Sequence, residues 1–175
     1  MSGTKVVGSG REVKQGPGPA PRIPLALDRG VIRGTAGLRK DQHVSALQHF
    51  RAPEGLAPGP GYSPAVSGRG RWVATAGQVA LDDAGQLVGP NDLEAQARQA
   101  FANLGRALAA AGASFADVIK LNYYVTDITA LPAVRAIRDE YVDTARPPAS
   151  TAVQLTALAM PGLMIEIEAW AICED

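Results

Sequence analysis

The segment LMIEIEAWAI, residues 163–172, alternates apolar and polar side chains at a period of two. In an extended strand this spacing places Ile165 and Ile167 on one face and Glu166 and Glu168 on the other. The segment is therefore predicted to be a strand with one face toward a core. Its glutamates lie either on an ordinary solvated face or in a site; Glu166 is the candidate site residue, and Glu168 is read as a partner for a cation at a subunit interface.

Two helices are predicted from apolar stripes with a period of 3.6 residues. The first begins near Asn91, which together with Glu94 resembles a capping box, and it ends at Gly112. The second spans residues 131–142 and has Pro132 in its first turn, where proline is tolerated. The stripe of the first helix consists of Leu93, Ala97, Ala100, Phe101, Leu104, Leu108 and Ala111.

Strand-like segments surround these helices. Residues 62–66 and 72–80 are predicted to form a hairpin, and further strands are predicted at 119–125, 150–155 and 163–172. The predicted order gives an α+β fold, in which a sheet carries two helices on one face. Several strands also have apolar residues on the uncovered face, so we expect a homo-oligomer that covers it.

The first 60 residues differ in composition from the rest, because they hold ten of the 19 glycines and seven of the 13 prolines. Such a segment has little apolar surface to bury. Residues 1–55 are therefore predicted to be a disordered extension, and residues 56–175 the folded domain. Residues 1–43 are a candidate for upstream sequence that is not part of the natural protein, with Val44 as its start.

The formal net charge of zero conceals an asymmetry. Residues 1–60 carry nine Lys or Arg and four Asp or Glu, whereas residues 61–175 carry eight and 13. The first segment scatters its arginines among Gly and Pro, and the acidic domain argues against nucleic acid as a main partner. No apolar run approaches the ~18 residues of a membrane span, and no signal-peptide core is present, which predicts a cytoplasmic protein without membrane contact.

The inventory of reactive side chains is short. Cys173 is the only cysteine, and both histidines, His43 and His49, fall in the segment predicted to be disordered. The predicted domain therefore lacks Ser-His-Asp and Cys-His chemistry and the common metal sites. Chemistry is left to carboxylates, tyrosines, hydroxyls, amides, backbone groups and water, with no metal or cofactor.

Four separated segments carry a resemblance to a known family. They are GYSPAV with GRWVATAGQVALDDAGQLV, then QARQAFANLGRALAAAGASFADVIKLNYYVTDI, RPPASTAVQL and MIEIEAWAI. In this order they resemble the Rid/YjgF family of reactive-intermediate deaminases over residues 56–175. The resemblance implies a chorismate-mutase-like fold, a barrel-like homotrimer with clefts between subunits, and hydrolysis of small enamines or imines without metal or cofactor.

The resemblance also implies site residues. Glu166 matches the glutamate that orders a water molecule and is the expected catalytic residue. The expected substrate-binding residues are Tyr62, Gly77, Gln78, Ser150, Thr151 and Ala152. The structural alternatives stay open: a packed tyrosine at position 62, a bend at 77, an internally paired amide at 78, and ordinary strand-start residues at 150 and 151.

One position departs from the family pattern. Ser150 stands where the family has an arginine that binds the substrate carboxylate, and a hydroxyl does not replace a bidentate guanidinium contact. The chain therefore resembles the subgroups that lack this arginine. Arg135, Arg138 and Arg146 are the candidates to supply a positive charge from another direction.

Three functions are left open. A deaminase-like hydrolase of a small imine, enamine or related intermediate ranks first. A non-catalytic trimeric binder of small metabolites is the alternative. An RNA-cleaving or translation-inhibiting protein ranks last, because the domain is acidic and has no histidine in its predicted fold.

Overall fold

The computed structural model describes residues 47–57 and 59–173. They form an α+β fold with a mixed sheet and two α-helices. The elements in chain order are β1 (Leu47–Phe50), β2 (Ala65–Gly68), β3 (Arg71–Ala74), β4 (Gln78–Val79), α1 (Leu93–Ala110), β5 (Val118–Val125), α2 (Leu131–Arg138), β6 (Ala149–Gln154) and β7 (Ile165–Cys173). No helix in this part of the chain is long and apolar enough to cross a membrane.

Strand β7 is the centre of the main sheet. The strands lie in the order β3-β7-β5-β6, and β4 also pairs with β7, beyond the end of β3. The pairs that involve β7 are antiparallel, whereas β5 and β6 are parallel. The short strands β1 and β2 form a separate antiparallel ribbon.

The core lies between one face of this sheet and the helices. Ile165, Ile167 and Ala169 of β7 are fully buried, as predicted from their alternation. They pack in one cluster with Phe101 and Leu104 of α1. Because burial of apolar surface is the dominant favourable term in folding, this face fixes the orientation of β7 and directs Glu166 and Glu168 to the other face.

The predicted hairpin between residues 62–66 and 72–80 is wrong. Strand β2 pairs with β1, and β3 pairs with β7, where Val73 lies opposite Ala171. The four-residue strand β3 gains more by pairing with the long central strand, because this buries Val73 in the core. The hairpin was predicted from turn residues close together in the chain, and these residues carry no information on the pairing of β3 with the distant strand β7.

Two helix boundaries also differ from the prediction. The N-cap of α1 is Asp92, whose carboxylate accepts a hydrogen bond from the Ala95 amide at 3.0 Å. Asn91 has a φ of 60° and so lies in the left-handed region outside the helix. Helix α2 ends at Arg138, one turn earlier than predicted, whereas Gly112 follows the C-cap of α1 with positive φ as expected.

Strand β1 lies inside the segment predicted to be disordered. His49 belongs to this strand, and its Nδ1 is 3.0 Å from the carbonyl oxygen of Pro147. The expectation that the fold contains no histidine is therefore wrong. Pairing with β2 places residues 47–50 in a strand, although the composition of the segment did not predict one. The predictions for residues 1–46, including the upstream start and His43, lie outside the described residues.

Gln96 is a fully buried polar residue that ties α1 to two loops. Its Nε2 donates to the carbonyl oxygens of Gly89 and Gly162 at 3.1 and 2.8 Å. Its Oε1 accepts from the Met164 amide at 2.8 Å, directly before β7. Gln96 thereby holds the beginning of β7 against the helix.

We expect Gln96→Met to lower the free energy of unfolding by about 3 kcal/mol, since a buried donor or acceptor left without a partner costs about 1–3 kcal/mol. Urea unfolding of the two proteins measures the difference. Gln86→Met, at an exposed position, is the matched control and should change stability by less than about 0.5 kcal/mol. Equal stability of the Gln96 variant and the wild type would contradict this role.

Candidate functional site

A cavity of about 290 Å³ lies between β6, α2 and the segment before β2. Ile128, Leu131 and Ala152 form its apolar wall. Its polar lining consists of Tyr62, Tyr123, Arg135, Arg138 and Ser150. We call this cavity the arginine pocket.

The elements of the fold bring these residues together from distant parts of the chain. Ser150 and Ala152 pair with Leu121 and Tyr123 of β5, so they lie on the sheet face that the helices cover. The segment that contains Tyr62 is held beside β6, because the Ser63 hydroxyl donates to the Pro147 carbonyl oxygen at 2.6 Å. The Ser63 amide also donates to the Pro148 carbonyl oxygen at 3.1 Å.

The two arginines of the pocket differ in their surroundings. Arg138 is only 5% exposed; its Nη1 donates to the Gly61 carbonyl oxygen at 2.6 Å, and its guanidinium forms an ion pair with Asp139. The guanidinium of Arg135 makes no hydrogen bond or ion pair with any other residue in 47–57 or 59–173. Among the described residues, one positive charge of the pocket is therefore paired, on Arg138, and one is not, on Arg135.

Tyr123 is a second unusual feature of the pocket. It is 3% exposed, and its buried hydroxyl makes no hydrogen bond of good geometry with the described residues, although the Arg138 guanidinium lies close to it. Burial raises the pKa of Tyr123 above its ordinary value, and the nearby Arg138 and Arg135 oppose this shift only in part. The hydroxyl is therefore protonated at neutral pH and is able to donate a hydrogen bond.

Glu166 lies on the opposite, uncovered face of the sheet. It pairs with Val79 of β4 and with Tyr124 of β5. A Cβ at position 77 would overlap the Glu166 carboxylate, so Gly77 is the residue that allows this side chain its position. Gln78 donates from its amide to the Ala76 carbonyl oxygen at 3.1 Å, and it lines an open cavity together with Gly77.

A hydrogen-bonded network lies beside Glu166 on this face. The Glu168 Oε1 accepts from the Asn122 amide at 2.8 Å and from the Tyr124 hydroxyl at 2.9 Å. The bond to Glu168 raises the pKa of Tyr124, because it favours the protonated phenol. Thr151 is on the same face, where Lys120 donates to its hydroxyl at 2.5 Å.

Six of the seven sequence-predicted site residues thus fall into two groups, whereas Gln78 lines a separate open cavity with Gly77 and Asn103 of α1. Tyr62, Ser150 and Ala152 meet in the arginine pocket. Glu166 and Gly77 meet on the uncovered face, which also carries Thr151. Within one copy of the chain the sheet separates the two groups.

The third candidate arginine lies elsewhere. Arg146 pairs with Asp143 at 3.0 Å and lines a cavity that also contains His49 and Cys173. It is therefore not part of the arginine pocket. Among residues 47–57 and 59–173, no group of three His, Cys, Asp or Glu side chains is placed to hold a metal ion.

Comparison with known proteins identifies the family. The family model described as Endoribonuclease L-PSP, which covers the Rid/YjgF and RutC proteins, matches residues 53–173. The chain belongs to the Rid/YjgF family.

Three relatives illustrate the range of the family. A RutC family protein of Synechocystis is 33% identical over 130 residues, which are 74% of this chain and 96% of the relative. The 2-iminobutanoate/2-iminopropanoate deaminase of Capra hircus is 37% identical over 123 residues, 70% of this chain and 85% of that protein. The crystal structure of a Rid family protein of unknown function, YyfB from Yersinia pestis, superimposes with a TM-score of 0.65; it is 38% identical, and the match covers 73% of this chain and 99% of that one.

Sequence reasoning missed Tyr123 as a member of the pocket. A signal was present in the sequence, because Tyr123 alternates with the aliphatic residues Leu121 and Val125 in the strand predicted at 119–125. Such a position is typical of a buried side chain, and a buried phenol needs a hydrogen-bond partner. Arg135 and Arg138 were candidates by charge alone. Their spacing of three residues places them on one side of α2, but the sequence did not show that this side faces Ser150.

We expect Tyr123→Phe to be at least as stable as the wild type at pH 7, with a gain of about 1 kcal/mol, because it removes a buried hydroxyl that lacks a protein partner. The wild type should lose stability as the pH rises above about 10. In that range Tyr123 ionises in the unfolded chain but stays protonated in the folded one, which favours the unfolded state. The variant should lose less over the same range. Urea unfolding at pH 7 and between pH 10 and 11.5 measures both effects, and a variant clearly less stable at pH 7 would contradict the assignment.

Proposed function

We propose that this protein hydrolyses small imines or enamines without a cofactor, at a site completed by two copies of the chain. The observation that carries the proposal is the position of Glu166. Its carboxylate rests against Gly77 on an uncovered sheet face. In the proposed assembly, this face meets a second copy, which contributes its own arginine pocket. The separation of the two groups of residues by the sheet is the reason that one copy is not sufficient.

The proposed chemistry needs only a carboxylate and water. The oxygen of a water molecule bonds to the electrophilic imine carbon while Glu166 accepts a proton from that water. The proton passes to the nitrogen, which gives a carbinolamine. Its hydroxyl proton follows the same route, the carbon–nitrogen bond breaks, ammonia leaves and the carbonyl product remains.

The uncovered face has the properties of an interface between copies. Trp72 and Trp170 are 61% and 44% exposed on it, and their rings meet edge to face at 6.5 Å. Val153 is exposed on the same face. Two adjacent exposed tryptophans on a sheet face favour association, and we propose the barrel-like homotrimer that the resemblance to the family implies.

The relatives support the reaction class. Several of those about 37–39% identical are named 2-iminobutanoate/2-iminopropanoate deaminase. The endoribonuclease in the name of the family model is a competing activity. The arginine pocket favours imine hydrolysis over RNA cleavage. A small cavity with one unpaired charge among the described residues suits a small anion better than a nucleic-acid backbone.

We expect Glu166→Gln to lower the rate of ammonia release from freshly generated imines by about 100-fold or more, the range typical of a lost general base. The measurement is the rate above the uncatalysed decay of each imine, with the oligomer verified by sedimentation. Glu94→Gln, an exposed residue in the first turn of α1, is the matched control and should keep full activity.

Two outcomes would count against this function. If a panel of imines and enamines decays no faster with the wild type than without it, the hydrolase is excluded for those substrates. Thermal stabilisation by the same small molecules, without turnover, would then identify a binding protein.

We expect Trp72→Lys to weaken self-association by about 100-fold, because it removes a large exposed aromatic side chain from the proposed interface and places a charge there. Sedimentation over a range of concentrations measures the change. Arg69→Gln, in the exposed turn before β3, should leave the assembly intact. A wild type that sediments as a single copy at all concentrations would contradict the interface.

A further inference from the structure

Two opposite charges on the uncovered face do not neutralise each other within one copy of the chain. Lys120 of β5 donates to the Thr151 hydroxyl, but its ammonium forms no ion pair with any residue in 47–57 or 59–173. Glu168 of β7 accepts two hydrogen bonds at Oε1, whereas its Oε2 accepts none from the described residues. Each side chain therefore keeps bonding capacity for an opposite charge.

The hydrogen bonds of these two side chains hold their charges apart. Strand β5 lies between β6 and β7 in the sheet. The contact with Thr151 of β6 therefore directs the Lys120 ammonium away from β7. The Glu168 carboxylate is held by the Asn122 amide and the Tyr124 hydroxyl instead. An ion pair within one copy would require the lysine to leave Thr151.

Association through the exposed tryptophans buries both charges. Trp170 is directly opposite Lys120 in the pairing of β7 with β5, and it lies on the same face as Glu168. Burial already lowers the pKa of Lys120, which means that its ammonium is partly removed from water in the single copy. A charge that is buried without an opposite charge is strongly unfavourable. A molecule that covers Trp170 must therefore offer an anion to Lys120 and a cation to Glu168.

A second copy of the chain meets this requirement, because its own uncovered face carries both charges. We propose that Lys120 of one copy forms an ion pair with Glu168 of the next copy, and that this pair fixes the register of the interface. In a closed ring each copy gives its lysine to one neighbour and its glutamate to the other. Glu166 is farther from Trp170 along β7, beside Gly77, and stays free of this pair. The inference rests on the association in the proposed function, but not on hydrolysis.

The test is sedimentation equilibrium of the full chain with two charge reversals, Lys120→Glu and Glu168→Lys. Each should weaken self-association by about 100-fold, because like charges then face each other across the interface. An equimolar mixture of the two variants should associate at least about tenfold more tightly than either alone, since the introduced charges then meet opposite charges. An ion pair within one copy would give no such gain on mixing. Glu94→Lys, a charge reversal at an exposed position of α1, is the matched control and should associate as the wild type does.

Wild-type association of both single variants would overturn the ion pair, and so would a mixture that associates no better than its components. If circular dichroism shows that a charge reversal prevents folding, Lys120→Met and Glu168→Gln decide. Each should weaken association by about tenfold, and the double variant by less than the product of the two effects, because both charges are then absent. Effects that multiply in the double variant would overturn the pair.

The ion pair and the proposed function fail in different ways. A wild type that sediments as a single copy removes both the interface and the pair. A wild type that associates, with variants that associate equally well, removes the pair alone. The measurement needs no turnover, so a wild type that associates through this pair without hydrolysing imines supports the pair and not the hydrolase.

Discussion

The structure depends on the two chemically different faces of strand β7. This strand pairs with β3, β4 and β5, so its register fixes the positions of all three. Ile165, Ile167 and Ala169 are buried beneath α1, and a shift of one residue would bring the glutamates into that core. The cost of burying unpaired carboxylates therefore holds Glu166 and Glu168 on the uncovered face.

The same constraint divides the candidate site. The groups able to hold an anion lie on the covered face, where α2 and β6 enclose them, whereas the proposed base lies on the uncovered face. Two exposed tryptophans lie on the face that carries Glu166, and burial of their apolar surface would favour association. Assembly and catalysis are thereby linked in the proposed mechanism, because the surface that drives association also carries the carboxylate.

The arginine pocket carries its positive charges on helix α2 and not on strand β6. The family resemblance implies a guanidinium on the strand at position 150, where this chain has serine. Arg135 lines the same cavity from α2, and Tyr123 lines it from β5. Arg138 fills a different need: its contacts with Gly61 and Asp139 hold the segment of Tyr62 against the helix. Residues with equal charge in the sequence thus have unequal roles in the fold.

The sequence by itself determined the two helices, the strands at residues 119–125, 150–155 and 163–172, and the alternation that separates Glu166 from the core. These features depend on residues close together in the chain, whose periodicity is readable directly. Only the tertiary structure decided that β3 pairs with β7 rather than with β2, that His49 belongs to a strand, and that Tyr123 and Arg135 share a pocket with Ser150. Such contacts join distant residues through the register of the sheet and the packing of α2, and no local pattern encodes them.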